Sequence, residues 1–236
     1  MLRSIRRALK IRLAALVADV VSDVIRREAS HQLFDISSER QRIALNSTAC
    51  YVGRHMLSAE LVQDGSHLLT FALDRTTPPG LYLEFGVASG TTVNLIASTV
   101  AGPIYGFDSF AGLPEAWLGY LPKGAFRQER LPLVPGNVEL IVGLFAETLP
   151  RFLGEHLDGV AFLHVDCDLY SSTKTIFEYL GPRIRSGTVI VFDEYFNYPG
   201  WEDGEYKAFQ EFILARGLSY TYLGYTNSQQ VALQID

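Results

Sequence analysis

The sequence predicts an α/β fold: a doubly wound, mostly parallel sheet with an antiparallel hairpin at its C-terminal edge and a helical extension at its N-terminus. Three observations carry this. From about residue 80, short apolar segments alternate with longer segments of helical pattern. The short segments are rich in β-branched and aromatic residues, as in strands covered by helices on both faces. The last two such runs flank Asn227-Ser228, a turn-like pair.

At the N-terminus, residues 1–29 have the pattern of an amphipathic helix. Leu2, Ile5, Leu9, Leu13 and Leu16 recur at three- and four-residue steps, and Arg3, Arg6, Arg7 and Lys10 mark another face. Such a helix is expected to pack on the body of the protein or on a second subunit, making a homo-oligomer. Its basic face also suits a membrane surface. The apolar run 13–25 is interrupted by Asp19 and Asp23, is too short to span a bilayer and is followed by no small-residue cleavage site. The expectation is therefore neither a signal peptide nor a transmembrane helix, and a cytoplasmic location. Residues 30–75 read as helical and loop-like, with no catalytic motif. The predicted division is 1–79 as a helical extension that is not an independent domain, and 80–236 as the core.

Within that core the expected strands are 81–85, 103–107, 138–142, 160–165 and 188–192. Helices are expected over 91–100, 145–156, 171–182 and 203–216. This alternation predicts parallel strands with right-handed crossovers, a Rossmann-like sheet. Residues 218–224 and 230–235 supply the antiparallel edge hairpin.

Composition narrows the function. With 236 residues, 48% of them hydrophobic and 19% charged, the chain can bury one substantial core. A net charge of −6 argues against nucleic acid as the main partner. Cys50 and Cys167 form no CxxC, so neither a disulfide framework nor a zinc site is expected.

The first core strand runs into Glu84-Phe85-Gly86-Val87-Ala88-Ser89-Gly90-Thr91-Thr92. Glycines 86 and 90 permit a tight turn and a close approach of backbone to ligand. A dinucleotide binder needs G-x-G-x-x-G, and Ala88 and Thr91 miss its second and third glycines. The spacing fits G-x-(G/A)-x-G with an acid two residues before it. That suits a ligand with no phosphate and a cationic amino-acid end, S-adenosylmethionine.

The second strand ends in Asp108-Ser109, and an acid there can accept hydrogen bonds from ribose hydroxyls. The alternative is that Asp108 only caps a following helix. After the third strand, Gly143-Leu144-Phe145 leaves room for adenine. These residues, with Glu84, Gly86, Ser89 and Gly90, are the candidate cofactor site.

Two further strands end in paired acids: His164-Val165-Asp166-Cys167-Asp168 and Phe192-Asp193-Glu194. All lie at the carboxyl edge, where ligands bind in such sheets. A like-charged pair at about 4 Å costs about 4 kcal/mol at an effective dielectric of 20. No arginine or lysine occurs in 160–173 or 188–200 to offset this. A divalent cation with oxygen ligands would; the plain alternative is that the acids cap helices or face solvent. His164 reads as an in-sheet histidine with a satisfied hydrogen bond, not as a base.

GVASGT, GFDSFAGLPE, GLFAETLP, HVDCDLYSST and FDEYFNYPGW, over about residues 80–215, resemble in order and spacing the macrocin O-methyltransferase (TylF-like) family. The resemblance implies S-adenosylmethionine as methyl donor and a magnesium ion near the transferred methyl group. It also implies small-molecule hydroxyl acceptors, often sugars of secondary metabolites. It makes Glu84, Gly86 and Ser89 the methionine-end loop, Asp108 the ribose ligand, and Asp166, Asp193 and Glu194 the metal ligands. Many members carry two aspartates where this chain has Asp193-Glu194. Asp168, two residues from Asp166, is the candidate base. Two rivals remain. A nicotinamide-dependent oxidoreductase is opposed by Ala88 and Thr91. A non-catalytic binding protein is opposed by the retained acids. Trp117, Tyr120 and Phe126 are expected in a lid over the acceptor, and Tyr195, Phe196, Tyr198 and Trp201 in the opposite wall or in ordinary packing.

Overall fold

In a computed structural model, residues 10, 16–23, 35–77 and 79–236 are described. Most of the amphipathic N-terminal pattern, including Leu2, Ile5, Leu9 and Leu13, lies outside them; residues 16–23 are helical. Two compact units result, Met1–Ile43 and Ala44–Asp236. Among the described residues no helix is long and apolar enough to cross a membrane.

The second unit is an eight-stranded sheet in the order β1-β7-β8-β6-β5-β2-β3-β4. Its strands are β1 (Glu60–Leu61), β2 (Leu81–Phe85), β3 (Ile104–Asp108), β4 (Val138–Val142), β5 (Val160–Val165), β6 (Val189–Phe192), β7 (Tyr220–Tyr225) and β8 (Val231–Ile235). The helices are α1 (Ile36–His55), α2 (Gly65–Leu73), α3 (Thr91–Thr99), α4 (Phe145–Glu155), α5 (Tyr170–Leu180) and α6 (Glu205–Arg216). β4, β3, β2, β5 and β6 run parallel, and β8 pairs antiparallel with both β6 and β7. This is the doubly wound, Rossmann-like architecture that the alternation predicts.

Alternation along each strand divides the core. Leu83, Phe85, Leu163, Val165, Ile190 and Phe192 face a cluster shared with α4, α5 and α6. Phe162, Val189 and Val191 face the opposite cluster, with Leu68, Leu69 and Ala72 of α2 and Val93 and Ile96 of α3. Strands buried on both sides read as continuous apolar runs because neither face meets water.

The sheet reaches further back than residue 80. Glu60 and Leu61 pair parallel with Gly224 and Tyr225, so β1 covers the outer edge of the C-terminal hairpin. A two-residue strand has too short an apolar pattern to be legible. α2, also ahead of residue 80, buries Leu68, Leu69, Ala72 and Leu73. Its amino end is capped by Asp64, whose carboxylate accepts the His67 amide.

Candidate active site

The sheet ladder continues one step beyond its strands. Gly143 N–H donates to Asp108 O, Gly86 N–H to Phe107 O, Asp166 N–H to Phe85 O, and Asp193 N–H to Val165 O, all at 2.9–3.0 Å. This lines up the strand-end loops of β4, β3, β2, β5 and β6 in one row at the carboxyl edge. A cavity of about 420 Å³ opens along it. Six of the nine sequence-predicted cofactor residues line it: Gly86, Asp108, Ser109, Gly143, Leu144 and Phe145.

Gly86 sits at φ +97°, and a Cβ there would overlap the carbonyl of Asp166. Glycine is therefore required where the turn after β2 passes the Asp166 carbonyl. Asp108 holds the loop that follows. Its Oδ2 accepts the amides of Val87 and Ala88 at 3.0 and 2.8 Å, and its Oδ1 accepts that of Phe110 at 2.7 Å. The acid thus braces the turn in which Ala88 takes φ +44° while still facing the cavity.

Three predicted cofactor residues lie elsewhere. Ser89 is exposed, its hydroxyl 3.1 Å from that of Thr91. Gly90 caps α3 at φ +85°. Glu84 is fully buried, and His164 donates to it across 2.8 Å between Nδ1 and Oε1. Burial opposes charge on His164; the hydrogen bond and charge of Glu84, with Asp166 and Asp193, outweigh it and raise its pKa. His164 therefore has its one expected hydrogen bond, but Glu84 Oε2 and His164 Nε2 have no partner among the described residues.

Asp166, Asp193 and Glu194 each offer an oxygen, and the three oxygens lie within 4.8 Å of one another. Asp166 and Glu194 line the cavity with Asp168. Burial is the first cause raising the Asp166 pKa well above the ordinary carboxylate range, with Asp193 adding to it and His164 opposing. Glu194 is likewise raised by burial, then by Glu205 and Asp166, and its Oε2 is buried without a partner. Asp168 is pushed up to about 7 by burial and by the charge of Asp193. It stands at φ +64°, and Leu169 N–H bonds back to Cys167 O at 2.6 Å, closing a tight three-residue turn. A crowd of oxygens with no lysine or arginine in the flanking segments 160–173 and 188–200 fits a hard divalent ion.

Phe126, Leu113 and Pro114 form part of the cavity wall, from a segment tied by Leu113 N–H to Ala125 O and Gly124 N–H to Leu113 O. Tyr120 is 73% exposed, and Trp117 packs edge-on against Tyr198. The suggested opposite wall is corrected: Tyr195, Phe196, Tyr198 and Trp201 are at most 3% exposed and belong to the core, not to the cavity. Rings at helical and turn spacing bury more area inside than at a wall.

Ser171, Ser172 and Thr175 on α5 also line the cavity; two of these three lie within the DCDLYSST motif but had no role assigned. Glu205 had no signal in the sequence. It is an acid in the first turn of a helix, an ordinary placement, yet it is fully buried behind Cys167. Burial, then the charges of Asp168 and Asp166, push its pKa well up.

Residues 83–195 match a protein family described as a methyltransferase domain. Over 67 residues the chain is 36% identical to the 8-demethyl-8-(2,3-dimethoxy-alpha-L-rhamnosyl)-tetracenomycin-C 4'-O-methyltransferase of Streptomyces olivaceus. That match takes in 28% of this chain and 24% of the relative, so it spans about a quarter of the curated relative's length. Among solved structures, the calicheamicin methyltransferase CalS11 superimposes with TM-score 0.57 at 26% identity, over 71% of this chain and 77% of that one. A second structure of CalS11, described as a TDP-rhamnose 3'-O-methyltransferase, gives TM-score 0.51 over the same shares. The O-methyltransferase NovP shares the fold, at 20% identity and TM-score 0.55 over 72% of this chain and 78% of that one. Over residues 83–195 the chain is similar to a methyltransferase domain, and that segment lies within a Rossmann-like sheet of the kind these O-methyltransferase structures share.

Proposed function

We propose that this protein is a metal-assisted O-methyltransferase of the macrocin O-methyltransferase type, acting on a hydroxyl of a small molecule, with a sugar as the acceptor class. One observation carries the reading: Asp166, Asp193 and Glu194 converge within 4.8 Å beside the cavity that Gly86, Asp108 and Gly143 also line. The donor, S-adenosylmethionine, supplies an electrophilic methyl group, so no protein nucleophile is needed. The cation, magnesium in this reading, supplies positive charge against an oxygen losing its proton. Asp166, Asp193 and Glu194 would hold it, and Glu194 brings a buried oxygen with no other partner.

Asp168 takes the hydroxyl proton. Its carboxyl is raised to about 7, close to the pKa that suits a general base at neutral pH. Asp108 and Ser109 bind the ribose end, and Leu144 and Phe145 flank the adenine. Gly86 and Ala88 line the methionine end, while Ser89 and Glu84 act there only through the loop's shape. Leu113, Pro114 and Phe126 exclude water from the acceptor.

The sugar class is supported by two relatives whose names specify rhamnose derivatives. The test is an acceptor screen with labelled methyl donor, with and without magnesium, starting from deoxysugar glycosides and nucleotide-linked sugars. Label transfer that is indifferent to EDTA would favour a metal-independent methyltransferase; donor binding without transfer to any hydroxyl would favour a non-catalytic binding protein. The proposal includes self-association through residues 1–29, on their apolar sequence pattern alone.

A further inference from the structure

We propose that Glu205 is a positioning residue, which acts through the Cys167 amide to hold the turn that presents Asp166 and Asp168 to the cavity. The role rests on the proposed function for its catalytic consequence.

Glu205 belongs to α6, 38 residues along the chain from Cys167, and does not line the cavity. Its Oε1 accepts the Cys167 N–H at 3.3 Å and lies 3.7 Å from Cys167 Sγ, which in turn is 3.3 Å from Thr173 Oγ1. Cys167 is the residue between the two functional aspartates, and its amide lies in the peptide plane that leaves Asp166, one residue before the strained Asp168.

The turn needs such a hold. Asp168 occupies the left-handed region at φ +64°, which costs free energy for a residue with a Cβ and persists only where surroundings over-determine it. The 2.6 Å bond from Leu169 N–H to Cys167 O closes the turn from one side; Glu205 closes it from the other. A plain helix-dipole role does not explain this acid. An exposed first-turn glutamate serves the dipole without desolvation, whereas Glu205 is fully buried, has no ion-pair partner among the described residues, and leaves Oε2 unbonded there. Burying a carboxyl among other acids is costly, and the accepted Cys167 amide is the interaction that keeps it in place. Gly204 makes room beside it: a Cβ there would overlap the Tyr198 hydroxyl.

The test compares Glu205→Gln, Glu205→Asp and Glu205→Ala in the full chain. The readouts are hydrogen exchange of the Cys167 amide, Mn2+ affinity by electron paramagnetic resonance, S-adenosylhomocysteine affinity by calorimetry, and kcat against KM for the donor. Glutamine keeps the accepting oxygen, so it should hold all four within about threefold of wild type. Alanine should speed Cys167 exchange at least tenfold, weaken Mn2+ at least fivefold and lower kcat at least tenfold. S-adenosylhomocysteine affinity and the donor KM should stay within twofold. Aspartate retracts the oxygen by one methylene and keeps the acid, so it should follow alanine even if alanine fails to fold. Wild-type Cys167 protection in alanine or aspartate would overturn the proposal. So would faster exchange with Mn2+ affinity and kcat unchanged, or a glutamine variant as impaired as alanine. A wild type that binds no Mn2+ overturns the metal reading of the site instead; the Cys167 exchange rates then still support or overturn the Glu205 contact.

Discussion

The α-carbon of Gly86 lies so close to the carbonyl of Asp166 that no side chain fits between them. The end of β2 and the end of β5 are in contact there, joining the loop after β2 to the acidic cluster. Gly86→Ala combines a positive φ of 97° with that overlap. We expect it to destabilise the protein by at least about 2 kcal/mol and to abolish S-adenosylhomocysteine binding. Urea denaturation and calorimetry check this; an unchanged midpoint would show that the loop relaxes freely.

Asp108 is expected to matter twice. Asp108→Ala removes the acceptor of three backbone amides, those of Val87, Ala88 and Phe110. Leaving partly buried donors unpaired should cost about 1–3 kcal/mol. Donor binding should weaken at least tenfold, because the ribose hydroxyls lose a charged acceptor. Unchanged calorimetric affinity would remove the ribose role and leave only the brace.

EDTA should abolish turnover, and magnesium should restore it. Asp193→Ala should lower kcat at least a hundredfold while S-adenosylhomocysteine affinity changes less than threefold, since Asp193 sits with Asp166 and Glu194 and not among the donor-loop residues. Full activity in EDTA would sink the metal reading. Normal turnover in Asp168→Asn would keep the cation and remove the proposed base.

Stability without divalent cations should fall as pH rises. Asp168 is raised from 3.8 to about 7, so over that window the folded chain holds a proton that the unfolded chain has lost. Unfolding then releases protons, and stability declines with pH. The contribution is complete below 3.8 and gone above about 7. Asp166 and Glu194, also raised, act in the same direction. Denaturant midpoints should be lower at about pH 8 than at about pH 5, and saturating magnesium should reverse the loss by binding the ionised acids. Asp168→Asn should flatten the slope. A midpoint that climbs with pH in EDTA would contradict the raised carboxyls.

The N-terminal pattern predicts self-association. Light scattering should give more than one copy for the full chain and fewer for a chain lacking residues 1–29. A full-length monomer would refute this, and liposome flotation would then test the basic face.

Most of the sheet was legible because buried parallel strands need continuous apolar runs, and the runs at 81–85, 138–142 and 160–165 coincide with β2, β4 and β5. The candidate acids were legible too, since a strand's end lies at the carboxyl edge whatever its neighbours do. Glycines at 86 and 143 announced tight turns through the one residue type that tolerates them. What depended on distance along the chain was not legible. Glu60 and Leu61 join the sheet only because β7 is placed to receive them. Glu84 turned to His164 rather than to the cavity because its position in β2 points it into the layer under α2 and α3. Tyr195 and Trp201, plausible as a wall by composition, were drawn into the core. Glu205 became a partner of Cys167 only when α6 packed beside α5. Local pattern settles which segments are strands and where each ends, because it depends on a few neighbouring residues. Which side chains then meet depends on how the layers stack, and that is decided by burial over the whole unit.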